Sequence, residues 1–341
     1  MDAERANEIV ILAEEAGPEL RGPEVATWIR HLEPLRDDVD AAVTWFLEHR
    51  EPRKALRIAA AMWPAWVDTG DRGQARRTLG AVLDATARDR SSARIQALYG
   101  AGLFAFREGD QSTARALNME SLETALASGD RAAAALALIG LSRVAYRDGD
   151  FVGVRGYCQR SMDISNELGD RVGMSRALHI LSEVARLEGD LPEARRLYQE
   201  GIELDREVGD LRHVAMQLTN LAFVDKNEGR LEEATRRVRE SIELARQIGH
   251  AAQLPLCLMA MGTVAVEGGD DRRGAVLLGA FQGLFDEDRE VLDPTDQPEF
   301  DRAVTTAKER LGPAEFQAAW AEGAALGADR AIALAMGEGP S

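Results

Sequence analysis

Arg176-Ala-Leu-His-Ile-Leu-Ser-Glu-Val-Ala-Arg-Leu-Glu-Gly-Asp-Leu-Pro-Glu-Ala-Arg-Arg-Leu-Tyr-Gln-Glu-Gly-Ile202 is the stretch that decides the fold. Ahead of its first glycine, Ala177, Leu178, Leu181, Val184 and Ala185 recur three or four residues apart. After it, Leu191, Ala194, Leu197, Tyr198 and Ile202 do the same. That is the period of a helix with one buried stripe, so the stretch reads as two helices broken at Gly189-Asp190. Glycine just past a helix accepts the left-handed conformation that stops it, and the following Asp caps the next helix. Asp190-Leu-Pro-Glu193 has the spacing of a full capping box, in which Glu193 reaches back to the cap residue.

The same punctuation runs through all 341 residues. Glycine recurs at Gly70, Gly109, Gly149, Gly189, Gly229 and Gly269, and a second series, Gly129, Gly169, Gly209 and Gly249, falls midway. Each interval of about 20 residues is one helix and a turn, and each 40-residue period is one helical hairpin. A hairpin of this kind cannot cover both of its apolar faces and must stack on its neighbours. The expectation is an all-α protein, an α-solenoid of about six hairpins at residues 51–286, with helical caps at 1–50 and 287–341. No segment alternates with period two, so no strand is expected.

Small residues fall where paired helices should cross. Gly102, Ser142, Ser182, Ala222 and Gly262 stand seven before the hairpin glycine, and Ala75, Ala114, Ala194 and Ala234 stand five after it. With Leu98, Leu138, Leu178, Leu218 and Leu258 four positions earlier, this pattern resembles the tetratricopeptide repeat. The 40-residue length resembles its MalT-like variety. Departures are a missing early Trp and closing Pro, Val154 and Gly274 in place of Ala, and Trp63 in the small site of the first hairpin.

The flanks, Leu12 to Glu24, Trp28 and Trp45, Ala55 to Trp66, Leu277 to Ala280 and Leu311 to Gly323, resemble the sensor region of bacterial STAND-type transcriptional regulators of the AfsR and LuxR-like kind. In that family the region senses an inducer or partner while other domains bind ATP and DNA. No Walker motif and no terminal helix-turn-helix is read here. The resemblance therefore implies a detached sensing or docking arm whose partner is a protein or peptide, including an ATPase or regulator without its own sensor arm. A homodimer is compatible with this reading.

Composition excludes several classes. The longest apolar run, Ala132 to Leu141, is half of the roughly 20 residues a membrane span needs. The N-terminus lacks the pattern of a signal peptide, so a cytoplasmic protein is expected. Only Lys54, Lys226 and Lys308 are lysines, and none stands in a phosphate-binding loop. A net charge of −17 opposes direct nucleic-acid binding. Cys158 and Cys257 form no metal or disulfide pattern, and His31, His49, His179, His213 and His250 never pair at i, i+4. Asp286-Glu-Asp-Arg-Glu290 lacks the glycine of a calcium loop, its sixth position being Val291, and reads as a solvated connection. No catalytic residue, metal or cofactor is expected. Trp45, Trp63, Trp66 and Trp320 are expected to seal the terminal hairpins.

In stacked hairpins the first helix of each pair lines the inner surface. Register places there Tyr99, Phe106 and Arg107, then Arg143, Tyr146 and Arg147, then His179, Glu183 and Arg186, then Phe223, Lys226 and Asn227. Arg107, Arg143, Arg147, Arg186 and Lys226 reverse the sign of the surrounding surface. Aromatic faces beside guanidinium groups suit an acidic peptide through bidentate hydrogen bonds and stacking. An anionic small-molecule inducer is the alternative ligand.

Overall fold

The computed structural model describes residues 1–20, 24–68, 72–288 and 291–338. Gly70 of the glycine series, and Arg289 and Glu290 of the expected solvated connection, lie outside the described residues. Helices α1 (Ala3–Glu19), α2 (Val25–Leu32) and α3 (Arg36–Glu48) precede the hairpins. The hairpins pair α4 (Pro52–Asp68) with α5 (Arg72–Ala85), α6 (Ser92–Arg107) with α7 (Gln111–Ser128), and α8 (Arg131–Arg147) with α9 (Phe151–Leu168). They continue with α10 (Arg171–Glu188) and α11 (Leu191–Val208), α12 (Leu211–Asn227) and α13 (Leu231–Ile248), and α14 (Leu254–Glu267) and α15 (Asp271–Asp288). Helices α16 (Asp296–Leu311), α17 (Pro313–Ala324) and α18 (Ala328–Met336) follow, and no strand occurs among the described residues. The fold is an all-α helical-repeat solenoid.

The glycine turn works as its chemistry requires. At Gly129 φ is +74°, and the amide of Asp130 donates back to the Ala125 carbonyl at 3.0 Å. The Asp130 carboxylate then accepts from the Ala133 amide at 3.0 Å, capping α8. The other described glycines of both series also take positive φ. The capping box at Asp190 forms only in half: the Glu193 amide donates to the Asp190 carboxylate at 3.2 Å, but the Glu193 side chain turns to Arg196. The amide it was expected to reach, that of Asp190, is already bonded to the Ala185 carbonyl at 2.9 Å.

The chain divides into two compact units, Met1–Ile180 with Val208–Asp210, and Leu181–Glu207 with Leu211–Ser341. In the first unit α6 packs on α7, α7 on α8 and α8 on α9, while the first helix α6 also meets α4 and α8. In the second, α12 packs on α13, α13 on α14 and α14 on α15, with α16, α17 and α18 against α14 and α15. Trp63 fits because the next repeat leaves room: a Cβ at Gly100 would stand 2.6 Å from the Trp63 ring. Trp66 is buried, Trp45 stacks on His49 with ring centroids 3.9 Å apart, and Trp320 packs against Phe300 and Phe316.

Charged side chains tie successive repeats in register. Arg76 of α5 reaches Glu108 and Asp110, Arg115 of α7 reaches Asp148, and Arg195 of α11 reaches Glu228, each bridging to the next hairpin turn. The first two pairs are substantially exposed and so contribute little stability. The third belongs to a tighter group, in which fully buried Asp225 takes Arg195 at 2.8 Å and also Arg237 and Arg230.

The tightest crossing in the first unit is at Asn118 of α7, which lies against Gly102 of α6 and Gly140 of α8. A Cβ at Gly140 would stand 1.9 Å from the Asn118 Oδ1. Gly140→Ala should therefore lower unfolding free energy by about 1–3 kcal/mol through overpacking. Gly156→Ala, at an exposed mid-helix position with nothing within 4 Å, should raise it by up to about 1 kcal/mol. Urea unfolding of both variants checks the pair.

Candidate functional site

The candidate residues fall in both units, and each set is described separately. In the first unit Tyr99, Phe106 and Tyr146 are buried, while Arg107, Arg143, Arg147 and His179 are half-buried. Two of the arginines join α8 to α6. Arg143 Nη1 donates to the Tyr99 hydroxyl at 2.9 Å. Arg147 Nη1 donates to the Phe106 carbonyl at 3.0 Å, and its guanidinium carbon lies 4.1 Å from the centre of the Phe106 ring. Guanidinium and aromatic groups thus meet across α6 and α8 at these two positions.

In the second unit the cations meet an acidic partner supplied by the chain itself. Arg186 of α10 and Lys226 of α12 are 7% and 5% exposed, and both stand over the Phe223 ring, at 5.0 and 5.9 Å from its centre. Arg186 pairs with Asp296, and Lys226 Nζ donates to Glu299 Oε2 at 2.6 Å. Asn227 donates to the other Glu299 oxygen at 2.7 Å. The Thr295 hydroxyl donates to Glu183 Oε2 at 2.5 Å, while Glu183 Oε1 accepts from Asn220 at 2.9 Å and from Tyr198.

Local sequence explains how this segment is presented. The amides of Asp296 and Gln297 both donate to the Asp293 carbonyl, at 2.9 and 3.1 Å, and start α16. Asp296 and Glu299, three residues apart in the first turn, project on one face, where the helix N-terminus favours negative charge. Thr295, Asp296, Glu299, Asn220 and Tyr198 were not anticipated from the sequence. The available signal was the acid pair at the head of a helix whose buried side continues through Phe300, Ala303 and Ala307.

Three buried carboxylates, Glu183, Asp296 and Glu299, gather around two buried cations, and Arg186 lies 3.2 Å from Glu183 as well as pairing with Asp296. Burial, with Glu183 and Asp293 nearby, outweighs the Arg186 guanidinium and raises the Asp296 carboxyl to about 7. Burial also opposes ionisation of Glu299, but the Lys226 ammonium and the hydrogen bonds from Asn227 and Lys226 hold its carboxyl below the ordinary range. Burial raises the Cys158 thiol to about 12 and shifts Cys257 in the same direction, so neither is poised as a nucleophile. Among the described residues no group of three or more His, Cys, Asp or Glu is placed to hold a metal ion, and no helix is long and apolar enough to cross a membrane. A depression of about 450 Å³ on α13, lined by Glu232, Thr235, Arg236, Arg239, Glu240 and Glu243, shares no residue with the candidates.

No family model matches the chain. A segment of 83 residues is 36% identical to an HTH-type transcriptional regulator of Mycobacterium tuberculosis (strain ATCC 25618 / H37Rv), and equally to one of Mycobacterium bovis. The match spans 24% of this chain and 9% of the length of those relatives. Among solved structures, a Rap protein complexed with competence and sporulation factor aligns over 98% of both chains, with TM-score 0.58 and 12% identity. The Rap conjugation gene regulator of plasmid pLS20, in complex with the Phr* peptide, aligns over 89% of this chain and 95% of its own, with TM-score 0.56 and 12% identity. These likenesses are to the helical-repeat fold.

Two outcomes follow from the buried cluster. Lys226→Met leaves Glu299 buried without its cation and should cost about 3–5 kcal/mol, whereas Lys226→Met with Glu299→Met should restore most of that loss, as read by chemical denaturation. For Asp296, a folded-state value raised above the unfolded one means the folded protein retains a proton that the unfolded chain releases. Its contribution to stability is present below about pH 4 and is lost as pH rises towards 7. Asp296→Asn should remove that loss, so the stability of the variant relative to the parent should increase between pH 5 and 8 in thermal unfolding.

Proposed function

We propose that this chain is a non-catalytic regulatory scaffold that binds an acidic peptide segment on the cation- and aromatic-bearing faces of its first helices. One observation carries the reading: Arg186, Lys226 and Asn227 already hold an acidic segment, in hydrogen-bonded pairs with Asp296 and Glu299. Similar types of side chain occur in the first unit, where Arg143 meets the Tyr99 hydroxyl and Arg147 the Phe106 ring, and Arg107 and Tyr146 belong to the same candidate set. Guanidinium groups already oriented by an aromatic hydroxyl and a ring lose less freedom on meeting a carboxylate, which favours recognition there.

The fold likeness to a Rap protein in complex with competence and sporulation factor and to a Rap regulator in complex with the Phr* peptide supports a peptide as ligand. The partial match to HTH-type regulators supports a setting in transcriptional control, with a regulator or ATPase as the downstream partner. Charge points to the class of peptide. The first unit's candidate residues Arg107, Arg143 and Arg147 are cationic in a chain of net charge −17, so an acidic segment is attracted to them.

The test uses fluorescent peptide pools rich in Asp and Glu, with matched pools in which every acid is replaced by its amide. The parent chain should retain the acidic pool only, and Arg143→Glu with Arg147→Glu should weaken retention at least about tenfold while the circular dichroism spectrum is kept. Equal retention by parent and variant would remove the acidic-peptide reading of the first unit.

A further inference from the structure

Resting on the scaffold reading above, we infer that the buried face of α10 and α12 in the second unit is a site for a helix-initiating peptide of the pattern Ser/Thr-Asp-x-x-Glu, and that Thr295–Glu299 is a tethered copy of that ligand. With the segment in place Arg186 and Lys226 are both more than nine-tenths buried over one aromatic ring, where a cation is costly unless an anion meets it. Arg186 has Glu183 of its own helix at 3.2 Å as well as Asp296, and Lys226 is met by Glu299 of the segment. Glu183 Oε1 accepts from Asn220 and Tyr198, while its Oε2 lies 3.2 Å from Arg186 Nη2 and accepts from the Thr295 hydroxyl of the segment.

Those groups specify the ligand position by position. Glu183 demands a hydroxyl donor and repels a carboxylate, which selects Thr or Ser ahead of the first acid. Arg186 takes an acid at the next residue, and Lys226 with Asn227 takes both oxygens of an acid three residues further on. The i, i+3 spacing is met only when the ligand forms a first helical turn. Recognition here runs through charge-assisted hydrogen bonds, an arrangement that another peptide of the same pattern can reproduce.

Tethering sets the terms of exchange. A segment of the same chain acts at an effective concentration on the order of millimolar, so a free peptide making the same contacts displaces it only at comparable concentration. A regulatory partner would therefore need the same pattern plus further contacts, and the resident segment would exclude peptides that lack them.

The experiment uses the full chain with Gln297→Cys carrying an environment-sensitive fluorophore. Gln297 is exposed, whereas Cys158 and Cys257 are buried with raised thiol pKa values, so labelling goes to the introduced site. The titrant is a synthetic peptide with the sequence of residues 291–301, and its control carries Asn and Gln at the positions of Asp296 and Glu299. In the labelled parent, half-displacement is expected on the order of millimolar. With Asp296→Asn and Glu299→Gln added, the midpoint should fall at least about tenfold, and the amide control should move neither protein. Should the double variant fail to fold, Glu299→Gln alone should give a smaller shift in the same direction.

Equal midpoints in parent and variant, no displacement in either, or a response to the amide control would overturn the inference. Retention of acidic pools that depends on Arg143 and Arg147, without any change at the Gln297 label, would remove this inference and leave the scaffold reading intact. Displacement of the label with no effect of Arg143→Glu and Arg147→Glu on retention would instead support this site and overturn the reading of the first unit.

Discussion

A helix ends at little cost only where the backbone can take positive φ and where the carbonyls it leaves behind find donors. Each described glycine of the repeat supplies the first condition, and the amide of the following residue supplies the second, as at Gly129 and Asp130. Because an Asp cap begins another helix at once, as at Asp110, Asp130 and Asp150, the link at these turns is only two or three residues long. Its shortness folds the second helix back on the first. Two amphipathic helices held this way still expose apolar surface, and stacking is the only means of burying it. Everything else in the fold follows from that repeated turn.

Stacking then concentrates demand at a few crossings. Where Asn118 enters between Gly102 and Gly140, and where Trp63 occupies the space beside Gly100, the partner position has no Cβ to give. These contacts are local solutions to a shared problem, and they differ from repeat to repeat: a bulky side chain in one hairpin is matched by a glycine in the next. The exposed arginine bridges from α5 and α7 add register more than stability, since water screens them. Asp225 is different, because its full burial makes its three arginine partners necessary.

The same argument applies with greater force to the cluster around Arg186 and Lys226. Two cations taken out of water over Phe223 require anions, and the chain meets the need with Asp296 and Glu299 from a helix that lies 110 and 73 residues further along. Burial, with Glu183 and Asp293 close by, is why Asp296 holds its proton to a higher pH than an ordinary carboxyl. The pairing binds the head of α16 to α10 and α12 through polar contacts that depend on protonation, as a purely apolar contact at this place would not.

The sequence alone determined the period, the helical class and the identity of the turns, because those rest on nearest-neighbour chemistry: glycine at positive φ, a cap residue after it, and apolar residues at helical spacing. Register also offered Tyr99, Phe106, Arg143 and Arg147 as candidates on the first helices, but which arginine meets which aromatic group was seen only in the tertiary structure. The failure of half the capping box at Asp190 was decided by competition for a single amide, which spacing does not reveal. That Asp296 and Glu299 close on Arg186 and Lys226 was decided only by the tertiary structure. Attraction between charges so distant in the chain depends on where the backbone brings them and on how much water is excluded, and neither quantity is written in local sequence.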